Sequence, residues 1–251
     1  MAMMNPAEFA NIAAAERDLW WYRGMREILF RLLDPIAAQE KFSRVLEAGC
    51  GTGYLSHTLS ERYGWKIVPM DGDAAGLSYA QSEGMQSLVQ GNILALPFAA
   101  SSFDALLSID VIPHLLPGEE HTTFAEFARV IKPGGLLVLR SAAFNALRSR
   151  HSEFVHERQR FTRRQLIDAL GRAGFSVVRA TYANSFLLPV AWFKFRIWEP
   201  LTRQAPASGV QPVAPWLDRM LYAPLAFEAR WIGSGKSLPM GQSVVLVARK
   251  S

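Results

Sequence analysis

Hydrophobic and polar positions change rhythm along this chain, and the changes predict its elements. Over the first forty residues Leu19, Trp20, Tyr22, Ile28, Leu29 and Leu32 recur among charged residues, the spacing of an amphipathic helix that Asp34-Pro35 is expected to end. Short apolar, β-preferring runs then alternate with helical stretches. Strands are expected at Arg44–Glu47, Lys66–Met70, Gln86–Val89, Ala105–Ile109 and Leu136–Arg140, with helices at Tyr54–Tyr63, Ala74–Gln81 and Thr122–Val130. Repeated strand–helix units argue for an α/β fold, a parallel sheet with helices on both faces. Pro133-Gly134-Gly135 reads as a turn. Thr162 and Gln165 fit a capping box opening a helix that ends near Gly174, followed by strands at Phe175–Tyr182 and Ser243–Arg249. Between those two strands the pattern breaks into about sixty residues rich in proline and tryptophan. A loop of that length is normally functional or carries its own structure. The expected organisation is an N-terminal helical cover (1–40), a core (41–182 and 243–251) and an aromatic, proline-rich insertion (183–242) acting as a lid or specificity element.

Composition narrows the picture. Half of the 251 residues are apolar, enough for a sizeable core, and the formal charge is +5. The basic excess is local: from Arg140 to Arg179 nine arginines face only Glu153, Glu157 and Asp168. The single cysteine, Cys50, excludes an intrachain disulfide and a multi-cysteine metal site. Glu8, Glu16, Arg17 and Asp18 interrupt every early apolar run, so no signal peptide is read there. Ser185 to Trp198 is too short and too charged to span a bilayer. The expected location is cytoplasmic.

The most informative stretch is Val45-Leu46-Glu47-Ala48-Gly49-Cys50-Gly51-Thr52-Gly53. A strand that turns through glycines into a helix brings bare backbone and a helix N-terminus to a ligand. The glycines follow G-x-G-x-G, one residue tighter than the dinucleotide fingerprint, which disfavours a nicotinamide-dependent oxidoreductase. Asp71, at the end of the next strand, is placed to accept ribose hydroxyls, and Asp73 to cap the following helix.

These residues resemble motif I and its acidic partner in the class I S-adenosylmethionine (SAM) methyltransferases. Gly91-Asn92-Ile93 with Leu96-Pro97-Phe98 resembles the next family segment, with Asn92 in place of its usual aspartate. Ser102-Phe103-Asp104 through Asp110 resembles the one after that. Pro69 departs from the family pattern and is expected to distort the second strand. The resemblance implies a Rossmann-like, seven-stranded, mostly parallel sheet whose last strand is antiparallel. It also implies SAM as cofactor and S-adenosylhomocysteine as its product. The loop N–H groups would face the methionine part, and Tyr22 and Arg23, in Trp20-Trp21-Tyr22-Arg23-Gly24, would contact the cofactor. The implied cofactor residues are Tyr22, Arg23, Glu47, Gly49, Cys50, Gly51, Gly53, Asp71, Gly72, Asn92, Ile93 and Asp110.

Methyl transfer needs an aligned acceptor, exclusion of water and, for a hydroxyl acceptor, a base. Candidate bases are His114, after the fourth strand, and His151 and His156 in the arginine-rich connection. His57 and His121 read as structural, and no metal-ligand spacing stands out. The expected activity is methylation, with oxygen favoured, of a small or medium-sized acceptor. A SAM-binding module without catalysis, or carbon or nitrogen methylation of a lipid-linked or ring-bearing acceptor, are the alternatives. Nucleic acid is disfavoured, because the arginines lack interleaved stacking aromatics. Trp192, Phe193, Phe195 and Trp198 with Lys194 and Arg196 are compatible with peripheral membrane contact, and the oligomeric state is open.

Overall fold

The structure, a computed structural model, describes residues 4–202 and 204–251. Seven strands form one sheet in the order β3-β2-β1-β4-β5-β7-β6. They are β1 (Val45–Ala48), β2 (Ile67–Asp71), β3 (Val89–Gln90), β4 (Phe103–Ile109), β5 (Ile131–Ala142), β6 (Phe175–Ala183) and β7 (Ser243–Lys250). Strands β1 to β5 pair in parallel. β7 runs antiparallel to both neighbours and lies inside the sheet, between β5 and β6. All four residues of β1 and six consecutive residues of β7 are buried, so both faces of the sheet are covered there.

Ten helices flank the sheet among the described residues: α1 (Ala7–Ala15), α2 (Trp20–Gln39), α3 (Tyr54–Tyr63), α4 (Ala74–Ser82), α5 (Glu119–Val130), α6 (Arg150–Phe154), α7 (Arg163–Arg172), α8 (Leu188–Phe193), α9 (Glu199–Thr202) and α10 (Pro215–Gly233). The capping box opens α7: the Thr162 hydroxyl accepts from Gln165 N–H while the Gln165 side chain receives Thr162 N–H. Asp73 caps α4 by accepting from Ala75 N–H. Asp104 ties the start of β4 to the N–H groups of Ser43 and Arg44 and to Lys132.

Three expectations need correction. Asp34-Pro35 does not end the second helix, which continues to Gln39. Asp34 instead accepts from Arg62 and Tyr63 on α3, and Leu32, Leu33 and Ile36 pack on the core, holding the helix together through the missing proline N–H. Pro133-Gly134-Gly135 is not a separate turn. It is absorbed into β5 as an irregularity across which pairing jumps from Phe103↔Ile131 to Ala105↔Leu136. Pro69 leaves β2 undistorted: the register with β1 runs straight through Glu47↔Pro69. β3 pairs only with Met70 and Asp71, so no strand lies beside Pro69 on that edge.

Residues 183–242 carry helices of their own. α8, a π-helical turn at Lys194–Trp198 and α9 run on without a break, and α10 packs along α2. Gly24 allows that contact: a Cβ there would lie 2.4 Å from the Leu225 side chain. Arg23 donates to Asp218 at 2.5 Å and lies over the Tyr222 ring, fastening the same pair of helices. No described helix is long and apolar enough to cross a membrane.

Candidate active site

The carboxyl ends of β1, β2 and β4 open on one cavity of about 820 Å³, at the point where the strand order reverses between β1 and β4. Gly49 leaves β1 with φ +91°, and a Cβ there would come within 2.1 Å of Val111. Only glycine meets both demands. The N–H groups of Gly49 and Cys50 both donate to Met70 C=O, lashing the loop to β2. Gly51 N–H donates to Asp71 Oδ2 at 2.8 Å, and Asp73 N–H to Asp71 Oδ1 at 2.9 Å. The expectation that these loop N–H groups face a ligand is therefore corrected: they are engaged within the protein. What the loop offers a ligand is room and an oriented carboxylate.

Four carboxylates line this end of the cavity: Glu16, Glu47, Asp71 and Asp73, the last of them capping α4. Burial pushes Glu47 up to about 8, against the opposing hydrogen bond from the Ser56 hydroxyl. Burial also raises Glu16 to about 7, although Thr52 donates to it at 2.6 Å. Asp71 is raised by burial too, and Glu47 is pushed further by the charges of Glu16 and Asp71. Burial moves the Cys50 thiol upward, which makes it a poor nucleophile. Tyr22 lines the same cavity, its hydroxyl held protonated by burial.

The far end is built differently. Arg140 donates to Asp110 at 2.6 and 3.0 Å, with its guanidinium over the Trp21 ring. His114 lines the cavity; burial lowers its pKa against a hydrogen bond to the His156 backbone, and its Nδ1 is buried with no hydrogen-bond partner among the described residues. His151 also lines it and is kept neutral by burial. Its Nδ1 accepts from Gly209 N–H at 3.0 Å, so the neutral ring carries its proton on Nε2 and presents a donor. Ser208 donates to buried Glu8 at 2.9 Å, joining α1 to the 207–213 segment along one wall.

Of the residues expected at the site, Tyr22, Glu47, Gly49, Cys50, Gly51, Asp71, Gly72, Ile93, Asp110, His114 and His151 line this single cavity. Arg23 does not; it faces Asp218 on α10. Gly53 begins α3, packed against Ala80. Asn92 turns into its own loop, where its Oδ1 accepts from Leu94 N–H at 2.9 Å. His156 lies outside the lining, at φ +58°. The sequence reading did not single out Glu8, Glu16, Arg26, Thr52, Arg140 or Glu157, all of which line the cavity. Arg26 was within reach, because Tyr22, Arg26 and Leu29 share the i, i+4, i+7 face of α2 that fronts the cavity, and Arg23 sits beside that face.

Residues 46–139 match the methyltransferase domain family. The chain is 26% identical over 171 residues to a probable S-adenosylmethionine-dependent methyltransferase of Mycolicibacterium smegmatis, covering 66% of this chain and 63% of that one. It is 35% identical over 111 residues to a malonyl-[acyl-carrier protein] O-methyltransferase of Coxiella burnetii, covering 44% and 37%. Each match thus spans less than two thirds of the relative's length. The fold resembles a chain in the complex of the Haloferax volcanii Trm112 methyltransferase activator with a methyltransferase, at TM-score 0.60 and 21% identity, covering 96% and 97%.

Proposed function

We propose that this member of the class I S-adenosylmethionine-dependent methyltransferase family, whose family domain is residues 46–139, methylates an oxygen of a small or medium-sized acceptor. The observation that carries the reading is the cluster of buried Glu16 and Glu47 with half-buried Asp71 on one cavity wall. Three carboxylates raised by burial form a site that favours a cationic ligand. A sulfonium bearing an amino-acid ammonium has that character. When bound, SAM supplies an activated methyl group.

The residues on the wall fit the remaining parts of such a ligand. Asp71, each oxygen already steadied by one backbone N–H, keeps lone pairs for the two ribose hydroxyls. Glu16 and Glu47 supply negative charge, and Arg26 on the α2 face supplies a cation for a carboxylate. α1 and the 207–213 segment wall off solvent. His114 is the base this geometry favours for a hydroxyl acceptor, because its imidazole is neutral and its Nδ1 unpartnered. His151, a donor through Nε2, suits orientation of an acceptor oxygen. The Coxiella burnetii relative, named an O-methyltransferase, supports oxygen as the acceptor atom.

Calorimetric titration with S-adenosylhomocysteine, with NADH as control, tests the cofactor reading. S-adenosylhomocysteine is expected to bind and NADH not. Asp71→Ala should weaken binding by about tenfold or more, the worth of a hydrogen bond to a charged group. Preference for NADH would end the methyltransferase reading. A mass-resolved screen of extracts with isotopically labelled SAM then identifies the acceptor. In the resulting assay His114→Ala should lower kcat by about 100-fold or more while S-adenosylhomocysteine affinity holds.

A further inference from the structure

The continuous helical stretch from Leu188 to Thr202 is assembled with its apolar residues outward. Its inward line is Ala191, Phe195 and Glu199, spaced four apart, with Ala191 and Glu199 buried and Phe195 half-buried. Its outward surface carries Val190, Trp192, Phe193, Trp198 and Leu201, exposed by 60%, 50%, 53%, 56% and 75%. A helix on a protein bathed only in water shows the reverse arrangement.

This stretch is not loosely attached. Glu199 accepts Arg150 N–H at 2.9 Å. Just upstream, buried Glu228 of α10 accepts the N–H groups of Ser185 and Phe186 at 2.6 and 2.7 Å. The two anchors fix which side faces out. The apolar surface extends onto α10, where exposed Phe186 meets Phe227 and Phe227 meets Trp231, at centroid distances of 5.5 and 6.2 Å.

The charges over the same region have one sign. Lys194, Arg196, Arg219, Arg230 and Lys236 are exposed. The acidic residues of 183–242 are only Glu199, Asp218 and Glu228. Glu199 and Glu228 are buried anchors, and Asp218 is paired with Arg23. Exposed tryptophan and phenylalanine set among lysine and arginine, with no free acid, match the interface of an anionic bilayer, where rings enter the headgroup boundary and cations meet lipid phosphates. A second copy of the chain fits less well, since a two-fold contact would press two wholly cationic surfaces together.

We propose that the outward face of residues 186–201, continued by Phe227 and Trp231 of α10, docks on an anionic lipid bilayer. Lys194, Phe195 and Glu199 of the same helical stretch line the cavity, so docking sets the candidate active site one helix away from the lipid.

Vesicle flotation tests this with the full chain. The wild type should float with phosphatidylcholine/phosphatidylglycerol vesicles, much less with phosphatidylcholine alone, and less as salt is raised. Trp192→Ser/Phe193→Ser/Trp198→Ser, which replaces no cavity-lining residue, should weaken flotation by about tenfold or more. Arg196→Gln/Arg230→Gln/Lys236→Gln should abolish the preference for the anionic vesicles. S-adenosylhomocysteine titration of every variant without lipid reports folding and the cofactor site separately, so a failure there does not count against docking. Three results would overturn the proposal: no flotation of wild type with either vesicle, an aromatic variant that floats like wild type, or a wild-type dimer in sedimentation that the aromatic variant converts to monomer.

Discussion

Glu16, Glu47 and Asp71 converge on one wall where burial outweighs the opposing charges of Arg17 and Arg26 on Glu16, and that wall is poised by protonation. At neutral pH Glu47, near 8, and Glu16, near 7, hold protons that a cationic ligand must displace. SAM affinity should therefore rise between pH 6 and pH 8, as the carboxylates ionise and meet the positive charge. The same titration run in buffers of different ionisation enthalpy should register proton release. Glu47→Gln should flatten the rise. An affinity independent of pH in both proteins would mean that these carboxylates do not face the cation. S-adenosylhomocysteine, lacking the sulfonium charge, should show a shallower dependence.

At the scale of the element, the junction of β1, its glycine loop and α3 is a closely packed joint. Gly49 combines φ +91° with a Val111 side chain 2.1 Å from where a Cβ would stand. Gly49→Ala should cost about 2–4 kcal/mol in urea unfolding, strain and overlap together, and Val111→Ala in the same chain should recover the part due to overlap. No recovery would mean that backbone strain alone sets the cost. This joint was legible in the amino-acid sequence because its chemistry is local: three glycines, a preceding acid and a strand–helix change of period fall within about ten residues. Asp71, Asp73 and the Thr162 capping box were readable for the same reason. Arg23, Asn92 and Pro133-Gly134-Gly135 were not. Arg23 is claimed by Asp218, 195 positions later; Asn92 by the loop it sits in; and the Pro-Gly-Gly run by pairing of β5 with β4. Arg26 and Arg140 were not read as site residues because their value comes from neighbours that only the folded chain supplies.

Across the whole molecule, burial raises Glu16, Glu47, Asp71 and Glu228 together. At these four groups the folded chain binds more protons than the unfolded one from the ordinary carboxylate range up to about pH 8, while Asp34, Asp104 and Glu126, held low by hydrogen bonds to basic and backbone partners, oppose this only at the acid end. The stability the four raised groups contribute is complete below the unfolded pKa and is lost as pH rises through their folded values. His114 and His151 work oppositely: their lowered pKa values give stability above the unfolded value that is lost as pH falls. The ligand-free protein should be most resistant to urea near pH 6 and weaker at pH 8 by on the order of a few kcal/mol. SAM should restore part of that difference, by neutralising the wall and by mass action. A urea midpoint that climbs steadily from pH 6 to pH 8 would contradict the carboxylate directions. The placement of β7 has a further consequence, in the order of events on the ribosome. Among the described residues β6 pairs with no strand but β7, so about sixty residues, some of them helical, must be synthesised before its partner exists. Until then β5 also presents an open edge, inviting a neighbouring nascent chain. Correct maturation is thus a race between translation of β7 and capture of that edge, and slow translation of the codons for residues 184–250 would penalise yield more than activity.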